Sequence, residues 1–287
     1  MKISTEIAST GAIVGMERAV ELCAKVGFDA WDFTMFDMCR IDKATMQPIN
    51  NENQLNGINY LAFARRLKRI GLDNGIVCNQ SHAPFPVYAP AVRSYLKRAI
   101  ECTAEAGGEI CIIHPDNNKT AEQNAEMYAE LLPFAKSCGV KIATENMWNW
   151  SPEKNESTVA ACSTSADFVR HIDIMNDDFL VACLDLGHAE MRGSGDGAVN
   201  MIRALGHRIK ALHIHDNDRL HDSHQIPFSM SIDFCAIVKA LKEIDYKGYF
   251  TLEADTFLKA YNSENVFEGL LRLKESARRL ADMFEEV

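Results

Sequence analysis

The stretch NGIVCNQSHAPFPVYAPAVRSYLKRAIECTAEAGGEICIIH (residues 74–114) contains a strand, a helix and a second strand in succession. Apolar, strand-like runs lie at 74–82 and 109–114, and each ends in a histidine. Between them, residues 92–108 have the apolar spacing of an amphipathic helix and finish in two glycines, a usual C-terminal helix stop. This order predicts a βαβ unit with two parallel strands.

The same alternation continues along the whole chain. Further strand-like segments lie at 2–8, 28–36, 140–146, 179–188, 209–216 and 248–255. Helical patterns separate them at 15–27, 60–71, 125–139 and 232–248, and a closing helix is expected at 266–287. Eight strands alternating with helices, without a linker or a break in composition, predict an α/β fold: a single (β/α)8 TIM barrel, with one domain over residues 1–287.

Composition narrows the classes of function. The 287 residues are 47% hydrophobic and 24% charged, as expected of a globular protein with a full core, and the net charge is −10. Such a charge disfavours binding to nucleic acid or to an anionic membrane. The nine cysteines include no C-x-x-C pair, and no apolar run resembles a signal peptide or a transmembrane helix. We therefore expect a reduced, cytoplasmic protein.

Histidines and acidic residues collect at the ends of the predicted strands. Seven of the nine histidines stand there, namely His82, His114, His188, His213, His215, His221 and His224. Acidic residues accompany them at Glu145, Asp185, Asp216, Asp222 and Glu253. Because the active sites of such barrels lie at the C-terminal ends of the strands, these groups are expected on one rim.

Period-two alternation predicts which of these side chains point into the barrel. In VKIATEN, Glu145 shares a face with Ala143, while the apolar Ile142 lies on the face that must meet the helices. The same argument turns His114, Asp185, His213, His215 and Glu253 inward. Taken singly, Asp185 could only cap the next helix, and His82 or His114 could be hydrogen-bonded structural histidines. Taken together, buried carboxylates and imidazoles predict a divalent metal site, because a cation offsets the cost of burying their charge.

Four motifs in order, ATENMW, CLDLGHAEMRG, ALHIHDNDRLHDSH and TLEAD, resemble the sugar isomerases and epimerases of the xylose isomerase-like TIM barrel superfamily. The resemblance covers essentially the whole chain. It implies metal ligands at Glu145, Asp185, His213 and Glu253, and the H-x-x-D from His213 to Asp216 selects His213 over His215. The cofactor would be a divalent cation: Mn, Co, Mg or Zn.

The resemblance also implies a reaction, which is proton transfer beside a carbonyl through an enediolate. Glu145 and Glu253 would be the base and the acid, and the substrate would be a small carbohydrate, either a sugar or a sugar phosphate or inosose. His188 and Arg219 would anchor substrate oxygens, His82 would contact substrate, and Trp148, with Trp150, would form an apolar wall against the sugar. A homo-oligomer would be usual for similar barrels.

Two departures leave the substrate open. The ketohexose epimerases carry a second Glu where this chain has Ser151, with Glu153 nearby, and the loop after the seventh strand reads IPFSMSIDF without a Gly-x-Gly turn. One alternative is a lyase or dehydratase acting on a keto-sugar or keto-inositol, which begins with the same deprotonation.

A second alternative is a multi-zinc phosphodiesterase that resembles the apurinic endonucleases. Additional metal ligands would then be His82, His114, His188, Asp222 and His224. The acidic net charge and the lack of a basic rim loop argue against it.

Overall fold

The computed structural model describes residues 1–42 and 44–287. Within them ten strands are formed, which are numbered in chain order: β1 Ile3–Glu6, β2 Ala30–Thr34, β3 Val77–His82, β4 Ile110–Ile112, β5 Lys141–Glu145, β6 Asn149–Ser151, β7 Glu156–Thr158, β8 Leu180–Asp185, β9 Ile209–His213 and β10 Phe250–Leu252. Eight of them form one parallel sheet in the order β10-β1-β2-β3-β4-β5-β8-β9, and β6 and β7 form a separate antiparallel hairpin.

The parallel sheet curves until its first and last strands meet. Ile214, directly after β9, forms a parallel bridge with Leu252 of β10. The Ile214 N–H donates to the Thr251 carbonyl at 2.9 Å, and the Glu253 N–H donates to the Ile214 carbonyl at 3.0 Å. The predicted single (β/α)8 TIM barrel is therefore confirmed, and all eight predicted strands contain an observed one.

Helices cover the outside of the barrel. They are α1 Ala8–Val14, α2 Met16–Val26, α3 Tyr60–Asp73, α4 Pro90–Ala106, α5 Ala121–Ser137, α6 Ser165–Asp173, α7 Leu186–Glu190, α8 Ala198–Leu205, α9 Phe234–Glu243, α10 Asp255–Leu258 and α11 Val266–Glu286. Two 3₁₀ turns lie at Phe36–Met38 and Gly206–Arg208. No helix in the described ranges is long and apolar enough to span a membrane.

Local sequence signals explain where several helices begin and end. The Thr120 side chain accepts the Gln123 N–H while the Gln123 side chain accepts the Thr120 N–H, a capping box that starts α5. Gly107 ends α4 at φ +86°, a conformation that favours glycine. The helices α1, α6, α7, α8 and α10 were not predicted from the sequence.

Alternation along the strands separates two apolar layers. The outward residues, such as Ile142 and Leu212, belong to the large core between sheet and helices. The inward residues Ile112, Ala143, Val181, Cys183 and Ala211 form a small core inside the barrel. Above this small core lie the polar side chains that the sequence places on the rim, at or just after the ends of β3, β4, β5, β8, β9 and β10.

Candidate metal centre and active-site cavity

A cavity of about 490 Å³ opens at the C-terminal ends of the barrel strands. One part of its wall is apolar and aromatic, built from Phe36, Phe85, Val87, Tyr88, Met147 and Trp148. The polar part consists of His82, His114, Glu145, His188, Asp222, His224, Glu253 and Asp255, with amides from Asn117, Asn118 and Asn149 near them. The volume is ordinary for a small-molecule site, and the mixture of apolar walls and convergent polar groups is typical of one.

An inner cluster consists of Glu145, Asp185, His213 and Glu253, the four predicted metal ligands. They stand at the ends of β5, β8, β9 and β10, and each offers a ligand atom within 4.8 Å of the others. Nδ1 of His213 lies 3.0 Å from Oε1 of Glu145 and 3.4 Å from Oε2 of Glu253. All four residues are buried, Glu253 being the most exposed at 6%. The structure thus brings together the residues that the motifs select.

An outer cluster of His188, His215, Asp222 and His224 lies beside the inner one. Asp222 is its centre, with Oδ2 3.4 Å from Nε2 of His188 and 3.1 Å from Nε2 of His224, and with Oδ1 3.5 Å from Nε2 of His215. The rings of His215 and His224 stack at 3.9 Å. His215 had no predicted role, although its period-two relation to His213 already placed it inside the barrel.

A third group joins His82 and His114 to Glu145. The two Nε2 atoms lie 2.9 Å apart, and those of His114 and His82 lie 3.1 Å and 3.5 Å from Oε2 of Glu145. Burial lowers the pKa of His114 to about 4, which keeps the ring neutral, as a metal ligand must be. All of the residues that were predicted to bind additional metal line the cavity: His82, His114, His188, Asp222 and His224.

Unpaired atoms in both clusters fit a cation. Oδ2 of Asp185 and Nε2 of His215 are buried and make no hydrogen bond with the described residues. Leaving such groups unpaired costs about 1–3 kcal/mol each, and more when they are charged. Three carboxylates and one imidazole in the inner cluster are a donor set that suits a divalent metal.

Asp185 also caps a helix, which was the alternative to its role as a metal ligand. Its Oδ1 accepts the His188 N–H at 2.6 Å and so begins α7. His188 in turn donates from Nδ1 to the Asn146 carbonyl at 2.9 Å, which directs Nε2 toward Asp222. Gly187 makes room for the outer cluster, because a Cβ there would lie 2.0 Å from the His215 ring.

The two acid–base candidates differ electrostatically. Burial raises the pKa of Glu145, but the charge of His213 and hydrogen bonds from His114, His213 and His82 bring it well below the ordinary value. Burial also raises the pKa of Glu253, and there the opposing charges of His213 and His224 do not cancel the effect. Two carboxyl groups pushed apart in this way suit the roles of ionised base and proton donor.

Some predicted residues lie outside the cavity wall. Arg219 has a positive φ of 65°, and its guanidinium lies 3.3 Å from Glu190. Trp148 lines the cavity, whereas Trp150 lies on β6 and stacks on the exposed His221 at 5.9 Å. Sequence reasoning overlooked Phe36 and Phe85, which line the wall beside His82, because isolated aromatic residues after a strand carry no signal of their own.

Comparison with known proteins shows the family to which the chain belongs. A family model described as a xylose isomerase-like TIM barrel matches residues 20–284. An uncharacterized protein of Methanocaldococcus jannaschii is 28% identical over 216 residues, which are 67% of this chain and 69% of that protein. The L-ribulose 3-epimerase of Methylomonas sp. (strain DH-1) is 22% identical over 250 residues, 84% of this chain and 78% of the epimerase.

Solved structures share the fold over the whole chain. A D-tagatose 3-epimerase-like protein superposes with a TM-score of 0.72 at 20% identity, covering 100% of this chain and 99% of its own. The IolI protein with a bound zinc atom has a TM-score of 0.70 at 19% identity, with the same coverage. Because the family model spans nearly the full sequence, the chain belongs to the xylose isomerase-like TIM barrel family.

Proposed function

We propose that the protein is a divalent-metal-dependent isomerase or epimerase of small sugars that moves a proton at the carbon beside a carbonyl. The observation that carries this proposal is the pair Glu145 and Glu253. Both side chains line the cavity, both are buried, and their pKa values are pushed in opposite directions. When two carboxyl groups hold one proton between them, the ionised group can take a proton from a carbon of the substrate. The protonated group can then give a proton to another carbon or to the opposite face of the same carbon.

The inner cluster supplies the place for the metal. Glu145, Asp185, His213 and Glu253 would hold the ion, and the outer cluster and the His82–His114 pair could hold further ions. The bound ion supplies stabilisation of negative charge on substrate oxygens. The zinc atom of the similar IolI structure supports zinc among the candidate metals, which also include Mn, Co and Mg.

The chain's own residues account for the proton. Glu145, ionised, would accept the carbon-bound proton and leave an enediolate, and Glu253, protonated, would give a proton back to the adjacent carbon or to the opposite face. His188 would hold a substrate oxygen at the cavity wall, and Trp148 would pack against the apolar face of the sugar.

The charge of the wall favours an uncharged substrate. Among the described residues that line the cavity there is no Lys or Arg, whereas Glu145, Asp222, Glu253 and Asp255 are acidic. A sugar phosphate or a nucleic acid backbone would meet these carboxylates without a Lys or Arg to offset its charge, because the histidines His188 and His224 are already paired with Asp222. A free ketose or a keto-inositol fits better, and the epimerase names of the similar proteins agree with the former.

Solvent exchange tests the proposal directly. Metal-loaded protein is incubated in deuterated buffer with a panel of ketoses and keto-inositols, and deuterium at the carbon beside the carbonyl is followed by NMR. We expect exchange, lowered by at least about 100-fold in Glu253→Gln, as for loss of a general acid or base. The matched control is Glu264→Gln, the same change at an exposed residue of the loop before α11, which should exchange at the wild-type rate.

Three results would contradict or redirect the proposal. Exchange at the wild-type rate in Glu253→Gln would show that Glu253 does not act with Glu145 as the acid–base pair. Tight binding of abasic DNA with three zinc ions per chain would favour a phosphodiesterase instead. Formation of a product that has lost water would turn the isomerase into a lyase with the same first step.

A further inference from the structure

A buried carboxylate that the mechanism above does not use lies on the neighbouring side of the inner cluster. Asp32, on β2, is 1% exposed. In the described part of the chain its side chain pairs with only two others, Gln80 and His213, and with no Lys or Arg. Because an isolated buried carboxylate is costly, these two partners must account for its position.

Gln80 is oriented by a polar network inside the barrel. Its Oε1 accepts from the Thr251 hydroxyl at 3.3 Å and from the Asn79 amide at 3.2 Å. The Gln80 amide nitrogen is thereby left to donate to Oδ2 of Asp32, at 2.9 Å. Through Gln80, this network holds the Asp32 carboxylate in place from inside the barrel.

The second partner is the imidazole of the inner cluster. Nε2 of His213 lies 3.4 Å from the same Oδ2 of Asp32. This oxygen already accepts the Gln80 amide hydrogen, and it accepts here as well, with the Nε2–H of His213 as the donor. The opposite nitrogen, Nδ1, faces Glu253 and lies 3.0 Å from Oε1 of Glu145, so that an ion bound in the inner cluster would take the place of the hydrogen that Nδ1 shares with Glu145. The ring plane is further held by stacking on His82, with centroids 5.4 Å apart and planes 12° apart.

We propose that Asp32 is a positioning residue, which holds the Nε2–H of His213 and thereby presents the Nδ1 lone pair to a metal ion in the inner cluster. The inference rests on the metal site of the proposed function. A carboxylate behind a ligating histidine fixes its tautomer and orientation and makes the ligand more basic, and the loss of such a partner typically lowers metal affinity by about 10- to 100-fold.

Glu6 provides a matched control, because it lies beside Asp32 on the adjacent strand. Glu6 on β1 is the Cα partner of Asp32, is buried to the same degree at 2% exposed, and accepts a hydrogen bond from the Ser9 N–H instead of contacting His213. Asp32→Asn and Glu6→Gln are therefore the same carboxylate-to-amide change on adjacent strands. Chelator-treated proteins are titrated with Co²⁺, and binding is followed by the visible absorption of the bound ion.

We expect Asp32→Asn to bind Co²⁺ about 10- to 100-fold more weakly than wild type and to show altered visible bands, because the ligand field changes with the imidazole. Glu6→Gln should bind within about threefold of wild type. A melting curve of each metal-free variant checks folding. If Asp32→Asn does not fold, Gln80→Met tests the same chain of contacts: it removes the donor that anchors Asp32 and leaves the carboxylate, and a loss of about threefold or more supports the inference.

The outcomes separate the inference from the proposed function. If wild type and Glu6→Gln bind Co²⁺ and a folded Asp32→Asn binds it equally well with unchanged bands, the positioning role is wrong and the metal site stands. If Asp32→Asn misfolds, wild-type affinity in Gln80→Met likewise means that the positioning role is wrong. If wild type binds no Co²⁺, both the metal site and the role of Asp32 fail.

Discussion

Replacing Glu6 by glutamine should change how the stability of this protein depends on pH. One oxygen of Glu6 accepts the Ser9 N–H at 3.0 Å, and the other is buried without a partner among the described residues. Burial raises the pKa of this carboxyl from 4.5 to about 7, opposed by the hydrogen bonds from Ser9 and assisted by the charges of Asp255 and Glu253. Between these two pKa values the folded protein holds a proton that the unfolded chain releases.

The sign and size of the effect follow. Because the folded state binds more protons, the free energy of unfolding falls as pH rises from about 4.5 to about 7. At about 1.4 kcal/mol per pKa unit, the contribution amounts to about 3 kcal/mol, complete above pH 7. Glutamine is neutral at every pH and lacks this contribution.

Urea unfolding, followed by circular dichroism in the presence of a chelator, measures the free energy of unfolding of both proteins from pH 5 to pH 8. The difference, variant minus wild type, should rise by about 2.5 kcal/mol across this range, because the part of the effect below pH 5 lies outside it. A constant offset from the buried amide is allowed, since it does not depend on pH. Parallel stability curves for the two proteins would refute the reasoning, because they would mean that Glu6 titrates alike in the folded and unfolded states.

Three further predictions concern the cavity. Gly187→Ala, which brings a methyl group against the His215 ring, should lower the metal-to-protein ratio without removing the ion of the inner cluster, and complete loss of metal would contradict the separation of the two clusters. Trp148→Ala should raise KM by about tenfold, which is equivalent to about 1.4 kcal/mol of binding free energy. Trp150→Ala, outside the cavity wall, should leave KM unchanged. Equal KM values for the two variants in steady-state kinetics would disprove the assignment of Trp148 to the wall. Chelation should lower Tm, because an ion at 100 times its Kd stabilises the fold by about 2.7 kcal/mol, and a Tm indifferent to chelator and added metal in thermal melts would argue against a bound ion.

The sequence was sufficient for the fold because its signals are periodic. Alternation in segments such as VKIATEN specifies the eight barrel strands and their inward faces, and helical apolar spacing, with glycines that end several helices, specifies six of the eleven described helices, without reference to distant residues. The same periodicity brings Glu145, Asp185, His213 and Glu253 to one rim, and their role as ligands stays a prediction.

Details that depend on loop conformation were out of reach. Nothing local separates Trp148 from Trp150, because the turn residues Pro152 and Asn155 indicate a turn after Trp150 but not that the β6–β7 hairpin carries Trp150 away from the cavity. The left-handed backbone at Arg219 turns this residue to Glu190, and a contact between loops cannot be read from spacing. Asp32 was detectable in principle, since a charged residue inside a buried strand needs a partner, but its partner His213 is distant in sequence.

Asp185 has a consequence that reaches beyond its own cluster. The same Oδ1 that starts α7 at His188 lies 3.2 Å from Nε2 of His215, while the residue belongs to the inner cluster as well. Occupancy of one cluster would therefore alter the charge and the orientation available to the other through a single shared carboxylate. Thermodynamic linkage makes this coupling reciprocal: whatever factor the first ion imposes on the affinity of the second, the second imposes on the first. The affinity measured for an ion at one cluster would therefore depend on whether the other cluster is filled.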